Sequence, residues 1–221
     1  MIDLHTHTTF SDGELIPSEL ARRAAKAGYR AMAMTDHADF SNLDLILTNI
    51  GRFVAETGAF LGVTVFCGVE LTHVPPPLIP HLVALARQRG AALVVVHGET
   101  IVEPVETGTN LAAIEAGVDI LAHPGLITPE EATLAAERGV ALEITTRAGH
   151  SLTNGHVAAM ARRFGCKLVI DNDAHAPEDL VDPDHRKKVA LGAGLSHEEY
   201  LRAEANAQEI VSRLLCAGNR A

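Results

Sequence analysis

The sequence predicts an α/β fold: a distorted (β/α)7 TIM-like barrel with a metal site at the C-terminal face of the strands. Short apolar, β-branched runs alternate with segments of helical pattern along the chain, as in parallel sheets with helical crossovers. A length of 221 residues fits one such domain, 1–221. The first strand is followed by His5-Thr6-His7 and not by the glycine-rich loop typical of open doubly wound sheets.

Each element follows from its local pattern. The seven predicted strands are the apolar runs 1–7, 30–36, 63–71, 91–97, 118–122, 140–145 and 167–171. Six helices are predicted at 17–26, 43–57, 79–89, 110–116, 129–138 and 154–164. Glycines at 28, 90, 117, 139 and 165 follow five of them, where a left-handed C-cap is favoured. The segment 182–216 is predicted to form a helical tail packed on the barrel, with an N-cap at Ser196 and its partner Glu199.

Composition limits the possible functions. Hydrophobic residues make up 47% of the chain and the net charge is −10, which disfavours disorder and attraction to a nucleic-acid backbone. The three cysteines fit neither a disulfide framework nor a paired-cysteine zinc site. Because no apolar run approaches the roughly 20 residues of a membrane span and no signal peptide is apparent, we expect a cytoplasmic protein.

Nearly every predicted strand ends in a residue that can bind a metal ion. These residues are His5, His7, Asp36, His37, Glu70, His97, His123, Asp171, Asp173 and His175. In a parallel barrel all C-terminal strand ends open onto one face, so side chains that are scattered along the chain converge in space. His5 and His7 project to the same side of an extended strand, a geometry that can chelate one ion. Imidazoles and carboxylates without thiolates suit Zn, Mn or Fe, and indicate hydrolytic chemistry.

The motifs DLHTHTTFSDG, TDH, GVE, VHGE, AHPG and NDAH resemble, in this order, those of the PHP (polymerase and histidinol phosphatase) phosphoesterases. The resemblance covers almost the whole chain and is greatest to the small stand-alone members named after histidinol phosphatase. It implies two or three divalent ions (Zn, Mn or Fe) and hydrolysis of a small, histidinol-phosphate-like phosphomonoester. A small phosphorylated substrate is therefore expected, with no long nucleic acid and no membrane as partners, and the oligomeric state is left open.

The resemblance also implies a role for each matching residue. His5, His7 and Asp173 would hold the first ion, Glu70 would bridge it to a second held by His97 and His123, and Asp12, His37 and His175 would hold a third. A metal-bridging hydroxide held by Glu70, Asp173 and His7 would be the nucleophile. Asp12 could instead be a helix-entry residue or hold a ligand in place. Asp3, Asp36 and Asp171 are expected to orient the ligand imidazoles.

Two further residues are candidates for contact with the substrate. Arg147 follows the sixth strand on the ligand-bearing face, where its guanidinium could bind phosphate, and His150 lies in the same loop. Arg147 could instead pair with a loop carboxylate such as Glu99. The acidic loop 98–110 could recognise a cationic group or be a solvated surface loop.

Three other functions remain open at this point. An amidohydrolase barrel also begins with a His-x-His strand, but it often carries a carboxylated lysine at a strand end, and no predicted strand here ends in lysine. A nucleotide phosphatase or short-oligonucleotide exonuclease would use the same ligands. A non-catalytic metal-binding module is the alternative from a different class.

Overall fold

Parallel strands curl into a nearly closed barrel, which confirms the predicted fold class. The structure is a computed structural model and describes residues 1–218, so residues 219–221 of the predicted domain lie outside the described part. The strands are β1 (Ile2–Thr6), β2 (Ala31–Met34), β3 (His37–Ala38), β4 (Thr64–Leu71), β5 (Leu93–His97), β6 (Ile120–Ala122), β7 (Ala141–Thr145) and β8 (Leu168–Asp171). Their order is β1-β2-β4-β5-β6-β7-β8, and the two-residue β3 pairs with β4. The strand β3 is an addition to the seven predicted strands.

Helices surround the barrel in the predicted alternation. They are α1 (Pro17–Lys26), α2 (Leu43–Thr57), α3 (Ile79–Gln88), α4 (Thr109–Glu115), α5 (Pro129–Arg138), α6 (Asn154–Phe164), α7 (Pro183–Gly192) and α8 (His197–Gly218). Gly139 and Gly165 end α5 and α6 with φ of 70° and 76°, as the cap pattern predicts. Ser196 and Glu199 exchange hydrogen bonds at the start of α8. Within the described chain no helix combines the length and the apolarity that crossing a bilayer requires.

The barrel interior is apolar at one end and polar at the other. At the N-terminal ends of the strands, Ile2, Phe66, Leu93 and Val169 form an interior cluster together with Ile210 of α8. Alternate residues farther along the same strands are Glu70 and His97, which also point inward. The apolar end makes a rigid floor, and the polar end is the candidate site.

A β-bulge shapes the first strand. Ile2 and Asp3 pair with Ala31 and Met32 of β2, but Thr6 then pairs with Met34, so β1 contains one extra residue. An extra residue interrupts the regular alternation of a strand and redirects its side chains. Consequently Leu4 belongs to the interior cluster while the adjacent His5 also reaches inward.

The barrel closes at the seam between β1 and β8 mainly through side chains. The one backbone hydrogen bond described there runs from His7 N–H to the carbonyl of Ala174, at 2.8 Å. Asp171 accepts a hydrogen bond from the backbone N–H of Leu4 at 2.6 Å, and Asp3 accepts one from Asn172 N–H at 3.1 Å. These carboxylates thus replace missing strand pairing.

Candidate metal centre

Nine predicted ligand side chains lie together at the C-terminal ends of the strands. They are His5, His7, Asp12, His37, Glu70, His97, His123, Asp173 and His175. Their donor atoms fall into overlapping groups, and within each group the atoms lie within 4.8 Å of one another. The convergence inferred from the barrel topology is therefore present in the structure.

Glu70 lies between two of these groups. On one side, His7 Nε2 lies 3.1 Å from Asp173 Oδ1, and His5 Nε2 lies 3.2 Å from Glu70 Oε1. On the other side, Glu70 Oε1 lies 3.4 Å from His97 Nδ1 and 3.7 Å from His123 Nε2. The carboxylate therefore faces both groups, as a bridging ligand would.

A third group sits nearer the surface. Asp12 Oδ1 lies 3.2 Å from His175 Nε2 and 3.5 Å from His37 Nε2. Helix α1 begins at Pro17 after Ile16, so Asp12 does not cap the helix. The side chain of Asp12 is 58% exposed, which leaves room for a further ligand on its open side.

The donor set fits divalent metal ions. Several buried nitrogen and oxygen atoms of the cluster have no hydrogen-bond partner within the part of the chain that the structure describes: His5 Nε2, both ring nitrogens of His7, His97 and His123, Glu70 Oε1 and Asp173 Oδ1. Unpaired buried polar atoms are costly, and a cation between imidazole lone pairs and carboxylate oxygens would satisfy them together. Neutral imidazole and carboxylate ligands suit Zn, Mn and Fe alike.

Burial and mutual charge set the protonation of the cluster. Burial opposes the charging of His5, but the carboxylates of Glu70 and Glu143 raise its pKa well above the ordinary value. Burial acts likewise on His97, but the neighbouring carboxylates of Glu103 and Glu70 raise its pKa to about 10. A divalent ion that binds here must displace these protons.

Other members of the cluster shift in the opposite direction. Burial and neighbouring imidazoles lower the pKa of His7 and of His123 well below the ordinary range. Burial alone would raise the pKa of Glu70, yet the adjacent rings of His5 and His37 hold it well below its usual value. Glu70 is therefore an anion and His7 and His123 are neutral at pH 7, which are the forms that bind metals.

The backbone at the site adopts unusual conformations. His123 and Asp173 have backbone φ angles of 26° and 52°, values that residues other than glycine rarely adopt. Such residues tend to occur where a site constrains the backbone. Gly98, directly after His97, could not carry a Cβ because it would collide with the carbonyl oxygen of Ala122.

Both predicted substrate contacts lie at the edge of the cluster. Arg147 Nε lies 3.5 Å from Asp173 Oδ2, and its terminal nitrogen donates to the backbone carbonyl of Asp173 at 3.1 Å. Its carboxylate neighbours are Asp173 and Asp179, whereas Glu99 accepts hydrogen bonds from Gly108 and other backbone N–H groups. Arg147 thus pairs with loop carboxylates, as the alternative expects, but they are Asp173 and Asp179 and not Glu99.

His150 is stacked within the site. Its ring packs on that of His123 at a centroid distance of 4.2 Å. Its Nδ1 is 2.9 Å from the Thr100 hydroxyl, and its Nε2 is 3.4 Å from Glu103. Because burial lowers the pKa of His150, the ring is neutral at pH 7.

The prediction that Asp3, Asp36 and Asp171 orient the ligand imidazoles is wrong. Asp3 and Asp171 hold the β1–β8 seam, as described above. Asp36 accepts hydrogen bonds from the N–H and the hydroxyl of Thr8 and from the hydroxyl of Ser11. Each of the three carboxylates accepts hydrogen bonds from backbone, hydroxyl or amide groups, so they order the strand ends and the following loop.

Two contacts with the ligand histidines were not predicted from the sequence. Glu143, in the middle of β7, is fully buried with its Oε2 2.6 Å from His5 Nδ1. Glu103, in the acidic loop 98–110, lies 3.1 Å from His97 Nε2. The sequence signal for Glu143 is a glutamate in the otherwise apolar run VALEIT, because a carboxylate is rarely buried without a partner.

An open cleft of about 540 Å³ adjoins the third group. Asp12, His37, Asp39, His73 and Glu103 are among the residues that line it, and none of the lining residues that the structure describes is a lysine or an arginine. The cleft therefore offers carboxylates and imidazoles to whatever part of a ligand extends beyond the metal groups.

The sequence profile of the PHP domain family matches residues 3–98. An uncharacterized protein of Methanocaldococcus jannaschii is 53% identical over 199 residues, covering 89% of this chain and 91% of the relative. Ribonuclease P protein component 3 of Methanosarcina mazei is 30% identical over 209 residues, covering 87% of this chain and 80% of the relative.

The fold is also similar to that of solved structures. A histidinol phosphate phosphatase from Lactococcus lactis, crystallised with zinc, L-histidinol and phosphate, aligns with a TM-score of 0.62 and 17% identity, covering 88% of this chain and 94% of that chain. At this identity the likeness concerns the barrel architecture alone.

Proposed function

The chain belongs to the PHP domain family of metal-dependent phosphoesterases, and we propose that it hydrolyses a small phosphomonoester at the open end of its barrel. One observation carries the proposal: nine imidazole and carboxylate side chains converge there, and several of their buried nitrogen and oxygen atoms lack hydrogen-bond partners among the described residues. A purely structural polar cluster would pair these atoms with one another.

Each of the three ligand groups would hold one ion. His5, His7 and Asp173 would hold one ion, Glu70, His97 and His123 a second, and Asp12, His37 and His175 a third. When bound, the divalent ions would neutralise phosphoryl oxygens and make water a stronger nucleophile. The buried carboxylate of Glu70, facing two groups, would set the spacing between the first two ions.

Arg147 would bind a phosphoryl oxygen. Its guanidinium is 29% exposed beside Asp173, so it can turn toward a ligand at the metal groups. A planar guanidinium can donate two hydrogen bonds to phosphate and compensate the negative charge that develops there.

His150 would donate a hydrogen bond to the substrate from an uncharged ring. When the Thr100 hydroxyl donates to Nδ1, the neutral ring carries its hydrogen on Nε2, the atom that faces Asp173 and Glu103. In that state His150 donates to a phosphoryl oxygen or to the leaving-group oxygen.

The lining of the cleft supports a polar or cationic leaving group. Asp39 and Glu103 border it, no lysine or arginine lines it within residues 1–218, and the whole chain carries a net charge of −10. An alcohol that bears an amine, of the histidinol type, would be attracted there, whereas a long polyanion would be repelled.

A substrate screen tests this function. The Mn-loaded protein is incubated with a panel of phosphomonoesters and nucleotides that includes histidinol phosphate, and released phosphate is measured. We expect turnover of one or more phosphomonoesters, lost in Asp173→Asn and retained in the exposed helix control Glu130→Gln. If the loaded protein releases phosphate from none of them, small-phosphomonoester hydrolysis is excluded.

The ribonuclease P relative favours a second candidate function, participation in RNA processing. A gel-shift titration with precursor tRNA at 150 mM salt distinguishes the two. Salt-sensitive binding below about 1 μM together with an inactive phosphatase screen would favour this second function, because phosphate-backbone contacts weaken as salt rises.

A further inference from the structure

Glu143 stands out because it is a fully buried carboxylate with a single basic neighbour. Its position at the centre of β7 directs it into the barrel, since Leu142 and Ile144 on either side belong to the cluster packed against the helices. Within residues 1–218, His5 is the one basic side chain that comes within 4.0 Å of it. Its second oxygen, Oε1, has no hydrogen-bond partner there.

The contact determines which ring nitrogen of His5 points toward the cluster. Glu143 Oε2 lies 2.6 Å from His5 Nδ1, so the hydrogen on Nδ1 is donated to Glu143. The opposite nitrogen, Nε2, lies 3.2 Å from Glu70 Oε1 and 3.7 Å from Asp173 Oδ1, and makes a hydrogen bond to neither. When an ion displaces the hydrogen on Nε2, a ring held in this way would aim its lone pair between these two carboxylate oxygens.

We propose that Glu143 is a positioning residue that fixes the tautomer and the orientation of His5 for binding the first ion. The inference rests on the metal site of the proposed function and adds to it a residue that does not itself touch the ion. A carboxylate behind a ligating imidazole increases the electron density at the coordinating nitrogen, and loss of such a partner typically weakens ion binding about 10- to 100-fold.

The test substitutes Glu143→Gln, which keeps the shape of the side chain and an acceptor oxygen but removes the charge. Dissociation constants for Zn²⁺ and Mn²⁺ are measured by competition with a chromophoric chelator, and the melting temperature of the metal-free protein is measured separately. We expect ion binding at the tightest site to weaken about 10- to 100-fold. The metal-free protein should melt at about the same temperature, because glutamine keeps an acceptor for the Nδ1 hydrogen and the carboxylates of Glu70 and Asp173 still face the ring.

A matched control is Asp119→Asn, which removes a buried carboxylate at the opposite end of the barrel. Asp119 accepts a hydrogen bond from Val94 N–H at 2.9 Å and pairs with Arg87 and Arg213. We expect this variant to melt at a lower temperature with unchanged ion affinity. A purely structural role for Glu143 predicts the same result for Glu143→Gln, and that result would overturn the inference.

A measurement on the unchanged protein covers the case in which Glu143→Gln loses both stability and affinity. Nitrogen NMR of the Zn-loaded protein should show His5 coordinated through Nε2, with a slowly exchanging hydrogen on Nδ1. Coordination through Nδ1 would contradict the assignment. If the unchanged protein binds no divalent ion, the proposed function fails as well, whereas unchanged affinity in Glu143→Gln removes this inference alone.

Discussion

Arg186→Met should destabilise the protein strongly, because Arg186 is the buried cation of the β1–β8 seam. The side chain is fully buried in α7. Its Nε donates to Glu204 at 2.7 Å, and one terminal nitrogen donates to the backbone carbonyls of Ile2 and Ile170. One guanidinium thus joins the first strand, the last strand and α8.

The size of the effect follows from what the substitution leaves behind. Methionine keeps most of the packing of the stem, but the buried carboxylates of Asp3 and Asp171 lose their neighbouring cation. Removing one partner of a buried charge arrangement costs roughly 3–5 kcal/mol. For a chain of this length that corresponds to a melting temperature lower by about 6–20 °C.

The deficit should depend on pH. Burial raises the pKa of Asp3 to about 6 and that of Asp171 well above its ordinary value, and Arg186 counteracts both shifts. A carboxyl group whose pKa is higher in the folded state binds protons preferentially when folded, so folding gains stability as the pH falls through that range. Without Arg186 both pKa values rise further, and the loss of stability should be larger at pH 8 than at pH 5.

Urea unfolding at pH 8 and pH 5, in the presence of a chelator, measures these differences. The double variant Arg186→Met/Asp171→Asn should recover at least about 1 kcal/mol, since it removes one of the unpaired anions. A loss below about 1 kcal/mol at pH 8, or an equal loss at both pH values, would refute the reasoning.

Three further predictions concern the metal centre. Glu70→Gln should lower ion content and rate more than Asp12→Asn, because Glu70 contacts side chains of all three ligand groups and Asp12 those of only one; equal losses, by elemental analysis and initial rates, would argue against a bridge. Arg147→Ala should lower kcat/KM for a phosphomonoester about 10- to 100-fold at unchanged ion content, because a charged hydrogen bond to phosphate is lost. Unaltered kinetics would indicate that Arg147 only forms ion pairs with neighbouring carboxylates. Since the pKa values of His5 and His97 are raised, ion binding should release protons and tighten from pH 6 to pH 9; calorimetry in buffers of different ionisation enthalpy checks this, and binding independent of pH would contradict it.

The barrel and the converging ligands were predictable because the relevant information is local. Each strand is a short apolar run, and His97 and His123 each follow such a run directly, so parallel topology alone brings them together. The glycine caps were predictable for the same reason, because Gly139 and Gly165 each end the helix that directly precedes them in the sequence.

The features that the sequence did not reveal depend on distant partners. Glu143 contacts His5 across 138 positions, and Arg186 reaches the carbonyl of Ile2 across 184. Nothing near either residue identifies its partner. The bulge in β1 is a further case, because regular alternation places Leu4 and His5 on opposite faces whereas the structure turns both inward.

The proposed function is the hydrolysis of phosphoesters with divalent ions held at the open end of the barrel. The most direct test follows the rate of phosphate release while ions are returned stepwise to the chelated protein, with bound ions per chain counted at each step. We expect no release from the ion-free protein and a rate that rises as two to three ions bind, in line with the three ligand groups. Full activity after exhaustive chelation, or no release from any phosphoester at full ion occupancy, would contradict it.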